Sequence, residues 1–401
     1  MNIVAVISEY NPFHLGHKYQ IDKIREEFGA DTAVVSVMSG NYTQRAEVAF
    51  TDKFTRAKAA ISSGVDLVLE IPFPYSSQSA EFFAGAGVKI ATEIGATHLS
   101  FGSESSDITL LTKIAERMDS KEYKELLAKL TSENKEAGYP ILSERAYNEL
   151  FGESLDGFFT PNNILGIEYI KAIKRQKSGL IPHTIKRNGT AYDSTEIEGE
   201  GFQSASAIRK LIEEDFCSAE KYLPKEAFEV YKEAYELGKL PANISELSVA
   251  IISFFRLNSS RLPVEYHDAK DGLYNRLQRA SIEAKNLSHL ITLTETKKVT
   301  TARIRRASLN SYVGVTSSDV KLLPEYTQVL GMNSIGKAIL KNIKKRTNIA
   351  LLTKPSATDG LSENARKQKQ LSDRADSVFR LCLKEKGRGD EDLRSTPFVL
   401  K

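Results

Sequence analysis

The sequence is poor in cysteine and contains no long apolar run. Its two cysteines, Cys217 and Cys382, are far apart and lack C-x-x-C spacing, so the sequence indicates neither a disulfide framework nor a cysteine-based zinc site. No stretch approaches the roughly 20 apolar residues that a membrane-spanning helix needs. The segment from Met1 to Tyr10 has neither a basic start nor a small-residue cleavage site, which argues against a secretory signal. We therefore expect a cytoplasmic protein without a membrane partner.

The charge is distributed unevenly along the chain. With 401 residues, 41% hydrophobic and 27% charged, the sequence has the composition of an ordinary globular protein, and its length predicts two domains. Residues 295–346 hold eleven Lys/Arg and three Asp/Glu, which is +8 locally, so the rest of the chain is −5 against the total of +3. Such an asymmetry is typical of a protein that docks a polyanion, although a solvated helical face has the same composition.

Short, nearly continuous apolar runs alternate with helical segments in the first half of the chain. Unbroken apolar runs are typical of strands that are buried on both faces of a parallel sheet and joined by crossover helices. The sequence therefore predicts an α/β fold with a Rossmann-like, doubly wound parallel sheet. The predicted strands are residues 3–7, 32–37, 67–70, 98–101 and 181–186, and the predicted crossover helices are residues 15–28, 51–62 and 82–94.

The remaining patterns suggest how the chain is divided. Residues 108–151 are charged and helical and predict an insertion, after which a helix over residues 162–174 returns to the core. Residues 202–214 predict a capped helix with Ser206 as the N-cap. Beyond about Phe216 the strand patterns disappear, and prolines punctuate helical segments. We therefore predict a first domain over residues 1–215 and a second, mainly α-helical domain over residues 216–401.

Two histidines stand where the first predicted strand turns into a helix. Residues 11–17 read NPFHLGH, so His14 and His17 are three apart at a helix start and can share one face, with Gly16 between them. A helix N-terminus attracts phosphate, and glycine lets a phosphate approach the backbone. Attack on the α-phosphate of ATP needs positioned donors more than a covalent nucleophile. This context favours nucleotidyl transfer over a purely structural role for the histidines.

A second anion site is predicted at the start of the later helix. Residues 203–209 read QSASAIR, which places Ser204 and Ser206 at a helix start and Arg209 one turn further on. These groups can hold the β- and γ-phosphates. Without the histidine motif, the same segment reads as an N-cap with a surface arginine.

Together the two elements resemble the H-x-G-H nucleotidyltransferase superfamily, whose second signature has the form S-x-S-x-I-R. The longer resemblance, over nearly the whole chain, is to the bacterial tRNA(Met) cytidine acetate ligase family. It is carried by residues 9–17 (EYNPFHLGH), 38–45 (MSGNYTQR), 64–72 (GVDLVLEIP), 101–104 (FGSE), 162–169 (NNILGIEY) and 301–306 (TARIRR). The superfamily motif alone also marks enzymes of cofactor synthesis, whereas the full series is much more specific.

The resemblance implies an activity and a set of site residues. It implies that ATP, with Mg²⁺, activates acetate as acetyl-adenylate, and that the acetyl group passes to N4 of the wobble cytidine of elongator tRNA(Met). Catalytic roles are implied for His14, His17, Ser206 and Arg209. ATP contacts are implied for Ile7, Ser8, Glu9, Tyr10, Asn11, Pro12, Phe13, His14, Leu15, Gly16, His17, Lys18, Tyr19, Gln20, Gly102, Arg187 and one or both of Asn162 and Asn163.

Several signals leave alternatives open. Arg45 follows the second strand and can hold the acetate carboxylate, or it can form a surface ion pair. Asp193, Glu196, Glu198 and Glu200 can hold magnesium, although a solvated loop explains them as well. Residues 331–338 have the G-x4-G-K spacing of a P-loop, but Ala338 replaces the Ser/Thr that binds magnesium, so we interpret them as a helix start.

The basic stretch favours RNA as a partner. Arg303, Arg305 and Arg306 form one cluster and residues 341–346 form another, and both can follow a phosphate backbone. Two other functions compete with the ligase. A small-molecule adenylyltransferase of cofactor metabolism leaves the second domain unexplained, and a catalytically inactive RNA-binding protein leaves the histidine pair and Arg209 unexplained.

Overall fold

The computed structural model describes residues 2–134, 137–155, 157–186, 202–258, 265–344 and 346–401. In these residues the strands are β1 (Ile3–Ser8), β2 (Ala33–Ser39), β3 (Leu67–Ile71), β4 (His98–Ser103), β5 (Ile181–Lys186), β6 (Tyr326–Met332), β7 (Ala350–Leu352) and β8 (Phe398–Val399). The helices are α1 (Leu15–Phe28), α2 (Lys53–Ser62), α3 (Ala80–Glu93), α4 (Ile108–Asp119), α5 (Lys121–Glu133), α6 (Tyr139–Phe151), α7 (Pro161–Arg175), α8 (Ala205–Glu214), α9 (Lys225–Glu236), α10 (Ser248–Leu257), α11 (Leu273–Glu283), α12 (Leu287–Thr294), α13 (Thr301–Val313), α14 (Ser334–Ile343), α15 (Glu363–Phe379) and α16 (Glu391–Arg394).

The strands form one sheet in the order β5-β4-β1-β2-β3-β6-β7, with β8 paired to β6. Strands β1 to β5 are parallel to one another, and β1 lies between β4 and β2. The chain leaves β1 in one direction, through β2 and β3, and then returns to the other side of β1 with β4 and β5. This is a doubly wound sheet, so the predicted Rossmann-like fold and all five predicted strands are confirmed.

Both faces of the sheet are buried, which explains why its strands have no polar face. Ala5 and Ile7 point into a core with α3 and the helices α4 to α7. Val4 and Val6 point into the opposite core, with α1, α2, α8 and α9. Because alternate side chains of a strand point to opposite faces, a strand covered on both sides needs apolar residues at every position.

The second half of the chain does not consist of helices alone. The expectation that strands disappear after Phe216 is wrong, because β6 pairs antiparallel with β3 and extends the central sheet. The sequence of β6 hides this strand, since polar residues occupy buried positions. Thr327 is fully buried, and its hydroxyl donates to the carbonyl oxygen of Glu70 at 2.6 Å. Tertiary pairing therefore decides the strand where local propensity does not.

The helices α10 to α13 and α15 form a third hydrophobic cluster with residues of the loop after β2. A buried group of charges connects this helical part to the sheet. Lys53 at the start of α2 lies between Glu70 of β3 and Asp376 of α15, and Arg380 pairs with Asp392 beside them. Among the described residues, no helix combines the length and apolar character needed to cross a membrane.

Candidate active site

A cleft opens at the carboxyl ends of the central strands. It lies where the strand order reverses, between β1 and β4, which is the usual ligand position in a doubly wound sheet. Its lining residues are Val6, Ile7, Ser8, Glu9, Tyr10, Asn11, His14, Gly16, His17, Tyr19, Gln20, Gln44, Phe83, Phe101, Gly102, Asn162, Leu165, Tyr169, Lys186, Phe202, Gln203, Ser204 and Ala205. Most of the sequence-predicted nucleotide residues are therefore brought together here.

The two histidines of the first motif stack on each other at the mouth of α1. Their ring centroids are 3.8 Å apart, with 28° between the planes. The Nδ1 of His14 accepts the backbone N–H of Gly16 at 3.0 Å, and the Nδ1 of His17 accepts that of His14 at 3.2 Å. A neutral imidazole has one donor nitrogen and one acceptor nitrogen, so each neutral ring carries its proton on Nε2. The pair therefore presents two N–H donors of the same kind.

Gly16 is required by the position of the first histidine ring. A Cβ atom at residue 16 would lie 2.8 Å from Cε1 of His14 and 3.0 Å from its Nδ1. The ring of His17 packs against two buried aromatic rings. Its centroid is 4.9 Å from that of Tyr10 and 5.6 Å from that of Phe13. The absence of a side chain at Gly16 therefore lets the imidazole of His14 pack against the helix N-terminus. The same absence also leaves room for a phosphate to approach the backbone.

Three helix N-termini meet at the cleft. Helix α1 begins beside His14, α7 contributes Asn162 from its first turn, and α8 contributes Ala205. Each N-terminus carries partial positive charge and backbone N–H groups, which together favour an anion. Lys186, at the end of β5, adds a full positive charge to the same lining. The electrostatic character of the cleft therefore suits a phosphate chain.

The N-cap of α8 differs from the prediction. Ser204, not Ser206, caps the helix, because Ser204 has an extended backbone and its Oγ accepts the N–H of Ala207 at 3.0 Å. Ser206 already lies inside the helix, where its hydroxyl accepts a bond from Arg209 at 3.2 Å. A cap has to precede the first helical residue, and the sequence offered two serines two residues apart.

Arg209 lies behind the Asn11 turn. Its guanidinium donates to the carbonyl oxygen of Asn11 at 2.8 Å and lies 3.9 Å from the carboxylate of Glu47. The same carboxylate forms an ion pair with Arg305 of α13. Glu47 therefore bridges the arginine of the second motif and an arginine of the basic stretch, and sequence reasoning gave no signal for this contact.

The two neighbouring asparagines have different surroundings. Asn162 lines the cleft, and its Nδ2 donates to Glu104 at 2.5 Å. Asn163 is buried, its Oδ1 accepts the backbone N–H of Glu104 at 3.2 Å, and its Nδ2 donates to the carbonyl oxygen of Phe158 at 2.8 Å. Gly102 of β4 lies in the lining, as predicted.

Some predicted nucleotide residues do not line the cleft. Pro12, Phe13, Leu15, Lys18 and Asn163 are absent from its walls, as are the predicted catalytic residues Ser206 and Arg209. Phe13 is buried, and its N–H donates to the hydroxyl of Tyr231 at 2.9 Å. Arg187 lies outside the described residues, as do the acidic residues of 193–200 and Lys345 of the basic stretch.

A carboxyl group, that of Glu9, lines the cleft. Glu9 follows β1, and its Oε1 accepts the backbone N–H of Gln44 at 2.8 Å. Burial raises the pKa of the Glu9 carboxyl above its usual range, and this hydrogen bond only partly opposes the effect. Gln44 also lines the cleft and donates to the carbonyl oxygen of Gln78 at 2.7 Å. Lys186, Phe101 and Tyr169 are lining residues that the sequence analysis did not single out as ligands.

A fully buried arginine holds the two strand ends that build the site. Arg56 of α2 donates to the carbonyl oxygen of Glu9 at 2.6 Å and to that of Ser39 at 3.2 Å, and it also bonds that of Gly40. These carbonyl groups lie just beyond the pairing of β1 and β2. The guanidinium satisfies them together, which fixes the loops that carry Glu9 and Gln44.

The two basic clusters differ in their surroundings. On α13, Arg303 pairs with Asp271 at 3.0 Å, Arg306 pairs with Asp268 at 2.7 Å, and Arg305 pairs with Glu47. Lys341, Lys344 and Arg346, within and just after α14, are instead exposed.

The P-loop-like spacing at residues 331–338 marks a helix start, as predicted. Helix α14 begins at Ser334, and the Oδ1 of Asn333 caps it by accepting the N–H of Gly336 at 3.0 Å. A Cβ atom at Gly336 would lie 2.1 Å from the carbonyl oxygen of Asp66. This helix N-terminus is therefore packed against protein.

The doubly wound sheet, the stacked H-x-G-H histidines and the phosphate-attracting cleft define a nucleotidyltransferase of the H-x-G-H class. Consistent with this, the family model described as HIGH Nucleotidyl Transferase matches residues 1–392. A tRNA(Met) cytidine acetate ligase from Caldanaerobacter subterraneus subsp. tengcongensis is 37% identical over 383 residues, which is 91% of this chain and 92% of that protein. One from Caldicellulosiruptor saccharolyticus is 37% identical over 356 residues, 86% of each chain. The chain belongs to the tRNA(Met) cytidine acetate ligase family.

Solved structures agree with this assignment. The crystal structure of Thermotoga maritima TmcAL in its apo form superposes over 100% of both chains, with a TM-score of 0.90 at 29% identity. The same protein bound with alpha-thio ATP superposes with a TM-score of 0.88, again over 100% of both chains at 29% identity. These relatives favour neither the cofactor-synthesis adenylyltransferase nor the inactive RNA-binding protein.

Proposed function

We propose that this chain is an ATP-dependent ligase that joins acetate to N4 of the wobble cytidine, position 34, of elongator tRNA(Met), forming N4-acetylcytidine. A carboxylate oxygen of acetate attacks the α-phosphorus of ATP, and diphosphate leaves. The cytidine N4 then attacks the acyl carbon, AMP leaves, and N4 loses a proton. The observation that carries the proposal is the stacked histidine pair, which lines a cleft at three helix N-termini. The relatives' names support the choice of tRNA(Met).

The residues divide the work of the first step. His14 and His17 donate from Nε2 to the α-phosphate oxygens, where negative charge grows as the acyl-phosphate bond forms. Ser206 and Arg209 serve the β- and γ-phosphates, with Arg209 exchanging its contact to Asn11 for the anion. Asn162 is the asparagine that contacts the nucleotide, since it lines the cleft and Asn163 is engaged in the neighbouring loop.

Three further parts of the proposal concern ligands. Mg²⁺ accompanies ATP, as it does in most phosphoryl-transfer enzymes. Acetate binds near Gln44, whose position beside Glu9 places it in the cleft, with Arg45 as the candidate for the carboxylate. Arg187 completes the nucleotide site.

The basic part of residues 216–401 binds the tRNA, while residues 1–215 supply catalysis. Lys341 and Lys344 support this division because they are exposed and can reach a phosphate backbone. The α13 arginines contribute to a smaller extent, since carboxylates already neutralise them.

The test measures AMP and diphosphate release by the purified protein, with acetate and bulk tRNA each present or absent, followed by nucleoside analysis. We expect N4-acetylcytidine only when both are present. His17→Ala should abolish it, whereas His289→Ala on α12, outside the cleft lining, should not. ATP use that requires another small acceptor would point to a cofactor-synthesis adenylyltransferase. Binding of tRNA without ATP use would point to an inactive RNA-binding protein.

A further inference from the structure

A second cavity lies beside the nucleotide cleft, and Asn11 forms the wall between them. Asn11 lines the cleft, its carbonyl oxygen accepts Arg209 at 2.8 Å, and its Oδ1 accepts the N–H of Phe50 at 2.7 Å. Arg209 and Phe50 in turn line the second cavity. A ligand in this cavity is therefore close to the reaction centre, and it shares one wall, Arg209, with the proposed site of the β- and γ-phosphates.

Three chain segments form the walls of this cavity. Helix α8 supplies one wall, the residues before α2 supply another, and the segment after α9 supplies the third. The lining residues are Glu47, Val48, Phe50, Arg209, Ile212, Glu213, Pro241, Ala242, Asn243 and Ile244. Val48, Phe50 and Ile212 are buried and apolar, whereas Glu213 and Asn243 are exposed, so the cavity has an apolar floor and a polar rim.

The size of the cavity suits one flat ring. Its volume is about 160 Å³. An apolar protein cavity of about 150 Å³ is known to hold a benzene ring. A nucleobase has a similar flat shape, an apolar face and polar edges, so its face matches the floor and its edges match the rim.

The charges of the rim select the kind of ring. Two carboxylates, Glu47 and Glu213, line the cavity, and its one arginine is the residue proposed above to serve the β- and γ-phosphates of ATP. The remaining rim is acidic, which disfavours a further phosphate. Glu47 is partly neutralised because it bridges Arg209 and Arg305. Within the described parts of the chain, Glu213 has no ion-pair partner, and it lies in the last turn of α8, where the helix dipole disfavours a carboxylate. A carboxylate in such a place accepts readily from an amino group.

Asn243 supplies the complementary donor. Its Oδ1 accepts the N–H of Ser245 at 2.9 Å, which leaves the Nδ2 amino group as the part that can donate to a ligand. A carboxylate that accepts from an exocyclic amino group, next to a donor for a ring nitrogen or carbonyl, matches the Watson–Crick edge of cytosine or adenine. Uracil presents a carbonyl where these bases present the amino group.

We propose that this cavity binds one unstacked nucleobase of the RNA substrate, a base that carries an exocyclic amino group, with Glu213 as the acceptor that reads it. The inference rests on the proposed function, since it takes RNA as the substrate. Proteins that read RNA sequence splay bases out of loops into such pockets. Two bases of a methionine anticodon have this group: the wobble cytidine and the adenosine beside it.

The test is equilibrium binding of anticodon stem-loop RNA to the full chain without ATP. Three RNAs are compared: the parent, one with uridine in place of the wobble cytidine, and one with inosine in place of the adjacent adenosine. Each replacement changes an amino group to a carbonyl. The protein variants are Glu213→Gln, Ala242→Leu, which fills the cavity, and Glu214→Gln as the matched control, since Glu214 is exposed on the same turn outside the lining.

We expect the unsubstituted protein to bind one of the two replaced RNAs about tenfold more weakly than the parent. The Glu213→Gln and Ala242→Leu proteins should bind the parent RNA about tenfold more weakly and should no longer distinguish it from the replaced RNA. The Glu214→Gln protein should distinguish the two RNAs as the unsubstituted protein does. A loss with uridine identifies the acceptor base as the occupant, and a loss with inosine identifies its neighbour. Equal binding of all three RNAs, or unchanged discrimination by Glu213→Gln, would overturn the proposal. N4-acetylcytidine formed by a protein that does not discriminate would leave the proposed function standing and remove this site alone.

Discussion

The buried charge group around Lys53 supports a quantitative prediction about stability. The Nζ atom of Lys53 donates to Glu70 at 2.8 Å and to Asp376 at 2.7 Å, and it lies 3.6 Å from Asp392. Arg380 also pairs with Asp392. Lys53→Met removes the cation while keeping the length of the side chain. It leaves Glu70 and Asp376 buried without compensation, and removing one partner of a buried ion pair costs about 3–5 kcal/mol.

The assay is urea unfolding at pH 8, with Lys58→Met as the control on the same helix. Lys58 pairs with Glu233 at 2.6 Å, but their side chains are 36% and 61% exposed. An exposed pair contributes about 1 kcal/mol or less, so the control should barely move the midpoint. Adding Asp376→Asn to Lys53→Met should restore part of the loss, since it removes one of the two uncompensated charges.

The same prediction has a defined dependence on pH. Burial raises the pKa of Asp376 from 3.8 to about 7. When the pKa of a carboxyl group is higher in the folded than in the unfolded protein, the group ionises first in the unfolded chain as the pH rises. The free energy of unfolding therefore falls as the pH rises between the two pKa values. Without Lys53 the charged form is disfavoured further, so the cost of Lys53→Met should be larger at pH 8 than at pH 5.5. Equal costs for the Lys53 and Lys58 variants at pH 8 would show that the buried carboxylates need no counter-ion, and would refute the reasoning.

Three further predictions concern the site and its partner. Gly16→Ala should displace the ring of His14 and lower acetate-dependent ATP–diphosphate exchange about 100-fold, since a shift of about 1 Å in an active site has this effect. Gly179→Ala is the control, because Gly179 has open space around it, and this variant should leave the exchange rate unchanged. Glu9→Gln should raise the melting temperature, and the difference from the unsubstituted protein should grow as the pH rises from 4.5 to 8. The reason is that burial raises the pKa of Glu9, so its ionised form destabilises the folded protein. A difference in melting temperature that does not change with pH would contradict this. Replacing Lys341 and Lys344 together by glutamine should weaken tRNA binding and lower its salt dependence by about one unit of slope per contact, and an unchanged slope would place the RNA elsewhere.

Much of the nucleotide site could be predicted from local sequence. The strand β1, the turn at residues 11–17 and helix α1 follow one another without interruption, so the two histidines reach their places through local geometry alone. Spacing also predicted that residues 331–338 start a helix. In contrast, the sequence did not predict which of Ser204 and Ser206 is the N-cap, or which of Asn162 and Asn163 lies at the cleft. Two residues of the same type that are one or two positions apart fit the same local pattern.

What the sequence by itself determined is the order of the buried strands and helices, and the motif that presents His14 and His17. Parallel strands covered on both faces require continuous apolar runs, and such runs are legible without a structure. Only the tertiary structure decided which distant residues meet: β6 beside β3, Glu47 between Arg209 and Arg305, and Lys53 among three carboxylates. These contacts join residues up to 339 positions apart, as Lys53 and Asp392 are, and they depend on charge compensation and backbone pairing in the interior. No local periodicity encodes such pairings, because a charged or polar residue in the interior has the same local sequence pattern as one on the surface.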